Sequence, residues 1–486
     1  MTLDKEIINE ALVKLNSKDP IKALEIINQK SINNTKDPDL LLIAGVSYMM
    51  LNNFDEALLH LKKIIKIDPN HKDAYFNIAT VYKNKNELKE AIKYLNKVTD
   101  LDKNNFKAFS NKCFIKIKLR EFENALEDAN KSIQINKEYL NAYLQRGNIY
   151  KELKFFDKSL DDYNNIIKTA TINSDIYYEA SYNKSQLLLL TGHIKEGFKL
   201  YENRFFISEY NSVKINEPNK EIKSLNNIKD KTILVLGEQG IGDNIQFSRY
   251  IKLLREKCSK TLFCVDKNMK YFFEKIKVAD IVYSVGDKID NFDYHLKLMS
   301  LPLLFETDKS NIPDINFTIK ADVDKSNKWS ELIKKYKSFY KIGINTTANP
   351  NIPARRIPIK FFKNICKYKN VKLFNLQKEI DRKEFDTNGV EILTFDKFDS
   401  SELFEDSKGL IENLDLVISS DTSIAHLSAS MDKDTWLILN DVPEWRWLTN
   451  DKKSLWYKKI TIFRCKKKDD WTEPAKEIEN LLKKYN

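Results

Sequence analysis

Residues 415–431, which read DLVISSDTSIAHLSASM, determine how the C-terminal half of the chain is interpreted. The apolar, β-branched run at 416–418 is typical of a buried parallel strand. A cluster of small polar residues follows at 419–423, and apolar residues then recur at helical spacing as far as Met431. The stretch therefore predicts a strand, a tight polar turn and a helix.

The predicted turn is a candidate anion site. In open α/β sheets, ligands bind at the carboxyl ends of strands, where helix N-termini offer free N–H groups and the positive end of the helix dipole. Thr422 and Ser423 add hydroxyl groups there, and His426 lies one turn into the helix. A second interpretation stays open, in which Asp421 or Thr422 only caps the helix and His426 packs or lies on an exposed face.

Composition limits the possible classes of protein. A chain of 486 residues predicts two or three domains, and 42% apolar residues suffice for real cores. The net charge of +11 comes from 81 Lys+Arg and 70 Asp+Glu residues that are interleaved along the chain, so no nucleic-acid-binding patch is predicted. The five cysteines form no C-x-x-C pair and the five histidines no H-x-x-x-H pair, which favours a reducing compartment over a zinc site.

No targeting or membrane segment is predicted. The first ten residues, MTLDKEIINE, lack the apolar core of a secretory signal. The longest apolar runs, such as 40–44 and 187–190, are far too short to span a bilayer. We therefore expect a cytoplasmic protein without a transmembrane segment.

The first 210 residues repeat with a period of 34 residues. Two columns of small residues and one of large residues recur in the same register: Ala23, Ala57, Ala91, Ala125 and Ser159; Gly45, Ala79, Cys113 and Gly147; and Leu41, Tyr75, Phe109 and Tyr143. Such columns predict two helices per repeat, because small side chains let the helices approach and large ones fill the space between them. Cys113 is therefore predicted to be a core residue and not a nucleophile.

The pattern resembles the tetratricopeptide repeat. Four full units and a divergent unit at each end are predicted: 38–71, 72–105, 106–139 and 140–175, with 1–37 and 176–210 at the ends. The resemblance implies an α-solenoid over residues 1–210. The groove of such a solenoid usually binds a peptide or another protein.

The middle of the chain begins with a polar, irregular stretch at 211–230, which predicts a linker. A buried strand at 232–236 then leads into the turn GEQGIGD. In this turn Gly240 and Gly242 permit positive φ and close backbone approach, and Asp243 lies at the mouth of the next helix. The dinucleotide-binding fingerprint needs a third glycine, which is missing here, so NAD binding is not expected. Alternating strands and helices follow and predict a parallel sheet, with strands at 261–265, 281–285 and 293–298.

A second α/β unit begins near residue 340. Its predicted strands are at 340–344, 371–376, 391–395, 416–418 and 434–439, and its predicted helices include 359–368 and 400–413. A proline-rich loop at 345–358 carries Arg355 and Arg356, and Gln377 follows the second strand. Residues 322–324 match a metal-binding D-x-D pattern, but they fall in a polar interdomain stretch and predict no metal site. The chain is thus predicted to be an α + α/β multidomain protein, whose two Rossmann-like halves, 231–330 and 331–486, enclose a cleft.

Three motifs carry a resemblance over residues 230–480. They are LGEQGIGDNIQFSRYIKLL, LDLVISSDTSIAHLSA and VPEWRWL, and they resemble the glycosyltransferase domain that follows tetratricopeptide repeats in many bacterial proteins. That domain is similar to the heptosyltransferase family (glycosyltransferase family 9) and has the GT-B fold. The resemblance implies transfer of a sugar from a nucleotide-sugar donor to a protein or glycan acceptor that the repeats recruit. It also implies that the nucleotide sugar is a substrate and that neither a metal nor another cofactor is needed.

The resemblance also implies roles for individual residues. Asp243 matches the acidic residue after the glycines, which is the family's proposed general base. The residues implied near the donor and its diphosphate are Arg355, Arg356, Gln377, Thr422, Ser423 and His426. The residues alone leave other interpretations open: Asp243 as a helix cap, the two arginines as part of a solvated loop, and Trp445 and Trp447 as packing or sugar-stacking residues.

The loop after residue 344 departs from the family pattern. Relatives have Trp-x-Gly-Asn there and Arg-Ser further on, whereas this chain has Thr346 and Ala348 before Asn349, and Arg355 and Arg356 in place of Arg-Ser. Arg355 keeps the charge that would neutralise a diphosphate. The departure leaves an alternative function open, that of a non-catalytic protein-binding scaffold with a degenerate transferase domain.

Overall fold

The structure is a computed structural model that describes residues 2–28, 35–207, 213, 215–314, 319–346 and 352–485. The chain divides into two compact units, Met1–Ala180 (unit 1) and Ser181–Asn486 (unit 2). The domain borders expected from the sequence, at 210, 230 and 330, stay predictions. In the described part of the chain, no helix combines the length and the apolar character needed to cross a membrane.

Unit 1 is built from consecutive helix pairs. Its helices are α1 (Thr2–Asn16), α2 (Pro20–Asn28), α3 (Pro38–Met50), α4 (Phe54–Ile67), α5 (Lys72–Asn84), α6 (Leu88–Leu101), α7 (Phe106–Lys118), α8 (Phe122–Ile135), α9 (Leu140–Glu152), α10 (Phe156–Thr169) and the beginning of α11 (Asp175–Leu190). The turns inside four successive pairs each contain a left-handed residue, and these are Asn52, Asn86, Arg120 and Lys154, with φ from 58° to 63°. They stand 34 residues apart, so the repeat includes the backbone conformation of the turns as well as the side chains.

The small residues of the repeat let the helices pack closely. The column from Ala23 to Ser159 is fully buried. A β-carbon added at Gly147 would lie 2.6 Å from Cε1 of Tyr163, whose ring is buried and whose hydroxyl donates a 2.6 Å hydrogen bond to Asn148. Cys113 is also fully buried, and burial raises the pKa of its thiol, as expected for an unreactive core cysteine.

Gly147→Ala should destabilise unit 1, because the added methyl group overlaps the buried ring of Tyr163. Overpacking of this kind costs about 1–3 kcal/mol, which would lower the midpoint of urea unfolding followed by circular dichroism. Adding Tyr163→Leu recreates the pair Ala79 and Leu95 found two repeats earlier, and should recover part of the loss. A Gly147→Ala variant as stable as the wild type would contradict this packing.

Unit 2 contains the rest of α11, then α12 (Ile194–Tyr201), and two parallel sheets. The strands are β1 (Thr232–Leu236), β2 (Lys260–Val265), β3 (Ile281–Ser284), β4 (Tyr294–Lys297), β5 (Tyr340–Asn345), β6 (Val371–Asn375), β7 (Leu416–Ser419), β8 (Thr435–Leu439) and β9 (Ile460–Arg464). The remaining helices are α13 (Ile241–Phe247), α14 (Arg249–Arg255), α15 (Lys270–Lys275), α16 (Leu301–Leu304), α17 (Val323–Ile333), α18 (Arg382–Thr387), α19 (Glu405–Glu412), α20 (Ser423–Ser430) and α21 (Thr472–Leu482). The sheet orders are β3-β2-β1-β4 and β6-β5-β7-β8-β9, and neighbouring strands are parallel in both. The predicted α + α/β class is confirmed at this level.

The strand order reverses once in each sheet, between β1 and β4 and between β5 and β7. In a parallel sheet, the loops on the two sides of such a switch point diverge and leave a crevice at the carboxyl ends of the strands. The turns after β1, β5 and β7 therefore border these crevices. They are the turns that carry most of the residues proposed for the site from the sequence.

Two local predictions in unit 2 are wrong. Residues 359–368 form two short 3₁₀ turns instead of a helix, because their apolar side chains enter the core at irregular spacing. Residues 391–395 make a single bridge, between Leu393 and Phe374, instead of a strand. The ring of Phe395, at the end of this stretch, packs against Trp329 of α17 instead, with ring centroids 4.6 Å apart.

Several elements of unit 2 are absent from the predicted set, among them α17, α18, α21 and β9. Asp322 is the N-cap of α17 and accepts a 3.0 Å hydrogen bond from the amide of Asp324, so the D-x-D stretch acts as a helix cap. Strand β9 completes the second sheet beside β8. The apolar residues of β9 follow a tryptophan-rich stretch directly, and the sequence therefore does not show them as a separate strand.

Candidate functional site

Unit 2 contains a cavity of about 600 Å³ at the carboxyl ends of β1, β5 and β7. The structure brings seven of the nine residues proposed from the sequence into its wall, namely Gly240, Gly242, Asp243, Arg355, Thr422, Ser423 and His426. The turn after β8 adds Glu444 and Arg446, and α11 adds Tyr182 and Gln186. Residues from the turns after strands of both sheets, and residues of the preceding helices, therefore line one cavity.

The two turns that define the site touch each other. A β-carbon added at Gly242 would lie 2.8 Å from Cδ2 of His426, so the glycine allows α13 and α20 to approach. The sequence suggested that positive φ was a second reason for the glycines. Neither Gly240 nor Gly242 has a positive φ, and the left-handed residue of this turn is Gln239, with φ of 56°.

Asp243 has two partners. Its Oδ2 accepts a 2.8 Å hydrogen bond from the amide of Gly240, which caps the start of α13. Its Oδ1 accepts a hydrogen bond from Nη2 of Arg446, and the same guanidinium donates to Glu444 through Nη1. The expected capping role is therefore present, and the carboxylate also takes part in an ion pair with a residue 203 positions later in the chain.

The arginine at the centre of this cluster is almost fully buried, with 5% of its surface exposed. Burial alone would lower the pKa of Arg446, but the carboxylates of Asp243 and Glu444 raise it above its ordinary value. Burial raises the pKa of Glu444, an effect that Arg446 partly offsets. Within the described residues, Nε of Arg446 has no hydrogen-bond partner, so this buried donor is available to a ligand.

His426 is neutral at physiological pH. Burial, followed by the charges of Arg446, Arg249 and Arg355, lowers its pKa well below the ordinary value. Its Nδ1 shares a 2.8 Å hydrogen bond with the hydroxyl of Tyr457. This hydrogen bond fixes the orientation of the ring. The neutral ring can donate or accept a hydrogen bond with a ligand without adding a charge to the cavity.

The N-terminus of α20 opens onto the cavity. Thr422 occupies the N-cap position with an extended backbone, but its side chain makes no capping hydrogen bond. Its hydroxyl lies 3.1 Å from that of Ser419 instead. Nearby, Nε of Arg355 lies 3.2 Å from Oδ2 of Asp421. Free N–H groups, a hydroxyl and a guanidinium thus meet where an anion would be stabilised.

Two of the proposed residues lie elsewhere. Arg356 donates a 2.6 Å hydrogen bond to Glu384 and is half-exposed. Gln377 accepts 2.7 Å hydrogen bonds from the amide and the hydroxyl of Thr346, and it lines an adjoining cavity of about 450 Å³. The two cavities share Asn345 and Ser423. Residues 347–351, which include Ala348 and Asn349, lie outside the described residues.

A buried ion pair fixes the turn after β1. Arg204, which is fully buried, donates to both carboxylate oxygens of Glu238 at 2.9 and 3.1 Å and to the hydroxyl of Ser300 at 2.8 Å. Glu238 also accepts a 2.9 Å hydrogen bond from the amide of Met299, after β4. This network joins both sides of the first switch point just before Gly240.

Sequence reasoning missed several of these residues. Arg446 and Glu444 lie in a motif that carried the resemblance, yet only the fold places them beside Asp243. Tyr182 and Gln186 on α11 follow the repeat pattern and gave no signal of a second role. Trp445 and Trp447 are 4% and 1% exposed, and the ring centroid of Trp445 lies 5.7 Å from that of Phe198 and 6.2 Å from that of Trp456. Both tryptophans are packing residues.

A comparison with family models identifies the repeats in the N-terminal part of the chain. The family model described as "Tetratricopeptide repeat" matches residues 17–111. This part of the chain therefore consists of tetratricopeptide repeats, which form a protein-binding class of repeat. No curated protein matches the chain.

Several solved structures are similar to this chain. A tetratricopeptide repeat protein from Parabacteroides merdae ATCC 43184 has 19% identity and a TM-score of 0.36, covering 42% of this chain and 80% of its own. A protein from Thermus thermophilus, described as a thermophilic TPR protein, has 14% identity and a TM-score of 0.32, covering 37% and 97%. MamA from Desulfovibrio magneticus RS-1 has 18% identity and a TM-score of 0.31, covering 34% and 93%.

Acid should destabilise unit 2 through His426. The pKa of this histidine is held well below its ordinary value in the folded protein and is about 6.5 in an unfolded chain. Below that pH the unfolded chain binds a proton that the folded protein does not, so the free energy of unfolding falls by up to about 1.4 kcal/mol per pH unit. The melting temperature of His426→Gln should therefore fall less steeply below pH 6.5 than that of the wild type. Equal slopes would contradict the neutral, buried state of this ring.

Proposed function

We propose that unit 2 is a glycosyltransferase of GT-B architecture that moves a sugar from a nucleotide-sugar donor to an acceptor hydroxyl. The observation that carries the proposal is the meeting of Asp243, Arg355, Arg446 and the N-terminus of α20 in one cavity between two parallel sheets. A nucleoside diphosphate needs cations and N–H donors, and an acceptor hydroxyl needs a carboxylate. This cavity offers both within a single space.

The donor diphosphate fits the side of the cavity formed by the turn after β7. The first N–H groups of α20 and the hydroxyls of Thr422 and Ser423 can donate to phosphate oxygens. Arg355 adds a positive charge, and its present partner, Asp421, leaves the other guanidinium nitrogens for a ligand. Negative charge develops on the phosphate as it leaves, so donors fixed at this point stabilise the transition state more than the ground state.

Asp243 is suited to activate the acceptor. Each of its oxygens accepts one hydrogen bond, and a carboxylate has about four acceptor positions in all, so positions remain for an acceptor hydroxyl. In the proposed step the acceptor oxygen forms a bond to the anomeric carbon and its proton passes to Asp243. The bond from the anomeric carbon to the phosphate oxygen breaks, and the nucleoside diphosphate departs.

A second candidate function is a protein-binding scaffold without catalysis. It is favoured by the hydrogen bonds of Asp243, because they already give this residue a structural role. Asp243 caps the start of α13 through Gly240 and joins this turn to the turn after β8 through Arg446. In that case the repeats of unit 1 would be the functional surface. The two candidates differ in whether the cavity binds a nucleotide and whether Asp243 is needed for turnover.

Nucleotide binding is the first test. Calorimetric titration of the full chain with ADP, GDP, UDP, CDP and dTDP should give micromolar binding of at least one. Arg355→Ala should weaken it about 10- to 100-fold, since hydrogen bonds to charged groups contribute about 1.5–3 kcal/mol. Thr422→Ala should weaken it several-fold.

The matched control is Arg382→Ala. Arg382 is an exposed arginine that pairs with Asp396 at 3.2 Å and does not line the cavity. Its loss should leave nucleotide affinity unchanged. No binding of any of the five nucleotides, or equal losses in Arg355→Ala and Arg382→Ala, would contradict the donor site and favour the scaffold.

Asp243→Asn separates catalysis from binding. Loss of a general base lowers turnover by about 100-fold or more, whereas the diphosphate side of the cavity stays intact. Release of nucleoside diphosphate from the bound nucleotide sugar should therefore collapse, with KM changed only a few-fold. Asp396→Asn, at an exposed position, is the control, and undiminished turnover in Asp243→Asn would refute the assigned base.

A further inference from the structure

One part of the cavity wall in unit 2 carries no charged side chain. It is formed by Tyr182 and Gln186 of α11, Tyr201 of α12 and Gln239 of the turn after β1. Tyr182 and Gln186 are four residues apart, so helical spacing places both on one face of α11. We call these four residues the neutral wall.

The neutral wall adjoins Asp243. Gln239 directly precedes Gly240, whose amide donates to Asp243 at 2.8 Å. Through Nε2, Gln239 also donates a 2.8 Å hydrogen bond to the hydroxyl of Tyr201. Burial raises the pKa of Tyr201 well above its ordinary value, and the charges of Arg446 and Asp243 are near enough to act on it as well. A molecule that contacts the neutral wall therefore lies beside the proposed base.

Tyr182 offers the aromatic surface of this wall. Its ring centroid lies 5.5 Å from that of Tyr201, and Tyr201 is only 1% exposed and so supports the ring from behind. Tyr182 itself is partly exposed, and burial raises its pKa, so its hydroxyl stays protonated at neutral pH. A tyrosine ring has an apolar face and a polar tip, which matches the C–H face and the hydroxyl edge of a sugar ring.

The cations of the cavity already face carboxylates. Nε of Arg355 lies 3.2 Å from Asp421, and Arg446 donates to both Asp243 and Glu444. No lysine is among the described residues that line the cavity. Once the donor diphosphate lies at Arg355, an acceptor with a phosphate or carboxylate group would meet two carboxyl groups beside the neutral wall and no uncompensated cation. Like charges placed together are strongly unfavourable, so the cavity selects against such an acceptor.

We infer that the acceptor is a neutral carbohydrate whose sugar ring packs on Tyr182. Its hydroxyl groups would pair with the amide of Gln186 and accept from Nε of Arg446, a buried donor with no partner among the described residues. The reacting hydroxyl gives its proton to Asp243 as its oxygen bonds to the anomeric carbon of the donor and the nucleoside diphosphate leaves. This inference rests on the proposed transferase function and adds the chemical class of the acceptor.

A sugar fits the neutral wall better than a serine or threonine of a protein. The short side chains of these residues have no flat apolar face to cover Tyr182. The peptide backbone around them would also bring N–H and C=O groups that each need a partner when buried. The wall offers two glutamine amides, and that of Gln239 already donates to Tyr201.

The test measures which acceptors accelerate release of nucleoside diphosphate by the full chain. The donors are the glucose, galactose and N-acetylglucosamine conjugates of the nucleotide that binds in the calorimetric titration. The acceptors are the methyl glycosides of glucose, galactose, mannose and N-acetylglucosamine, with methyl glucuronide and methyl glucoside 6-phosphate as charged counterparts and acetyl-Gly-Ser-Gly-Thr-Gly-amide as the peptide. At least one neutral glycoside should accelerate release, and the charged glycosides and the peptide should not.

Variants locate the acceptor on the neutral wall. Tyr182→Ala and Gln186→Ala should each raise KM for the neutral glycoside about 10-fold and leave nucleotide affinity unchanged. Tyr182→Phe keeps the ring and should retain most of the acceptor affinity. The matched control is Tyr178→Ala, one turn earlier on α11, because this tyrosine is also partly exposed but does not line the cavity. Its KM for the glycoside should equal that of the wild type, and melting temperatures show whether each variant is folded.

A charge added to the neutral wall should change the acceptor class. Gln186→Lys supplies the missing cation, so KM for methyl glucuronide should fall and KM for the neutral glucoside should rise. The inference is overturned if no neutral glycoside accelerates release, if the peptide or a charged glycoside does so equally well in the wild type, or if Tyr178→Ala and Tyr182→Ala lose acceptor affinity equally. In these outcomes the nucleotide still binds and the transferase proposal stands, whereas failure of every nucleotide to bind refutes both.

Discussion

The ion pair between Asp243 and Arg446 is the interaction on which the organisation of unit 2 depends. It joins the first helix after β1 to the turn after β8 and so links the two sheets at their carboxyl edges. Arg446 is buried and has Glu444 as its second partner, so loss of the Asp243 carboxylate would leave its positive charge with one carboxylate instead of two. Here that charge would remain in the wall of the cavity, so the shape of the site and its charge pattern have the same origin.

The contact between Gly242 and His426 is the steric counterpart of this pair. The ion pair draws the two edges together, and the absence of a side chain at residue 242 sets how near they come. On the other side of the same turn, Arg204 and Glu238 hold the backbone from within the fold. The turn after β1 is therefore fixed by partners from the helices before it, from β4 and from the second sheet.

Sequence patterns predicted the elements whose cause is local. The apolar run at 232–236 is β1 to the residue, and the 34-residue columns correspond to the helix pairs of unit 1. The turn after β7 was placed correctly because a β-branched run, small polar residues and a helical pattern follow one another without interruption. Predictions failed where side chains from distant segments decide the structure, as in the 3₁₀ turns at 359–368.

The residues of the candidate site also differ in whether their role depends on local sequence or on distant partners. Residues in the turns after β1 and β7 could be proposed from their own surroundings, whereas the role of Arg446 depends on a partner 203 positions away. Arg355 and Arg356 are neighbours in sequence, and only the fold sends one to Asp421 in the cavity wall and the other to Glu384 outside it. No periodicity or spacing distinguishes them.

The last helix pair has a consequence for how such a chain can change in evolution. The pair α11 and α12 continues the repeat pattern, yet Tyr182, Gln186 and Tyr201 contribute to the cavity wall of unit 2. Duplication or loss of repeats before this pair can alter the number of binding modules while the chemistry of the cavity is inherited unchanged. The pair belongs both to the repeat pattern and to the cavity wall. Truncation of the gene at the apparent end of the repeats would therefore remove part of the lining of the cavity.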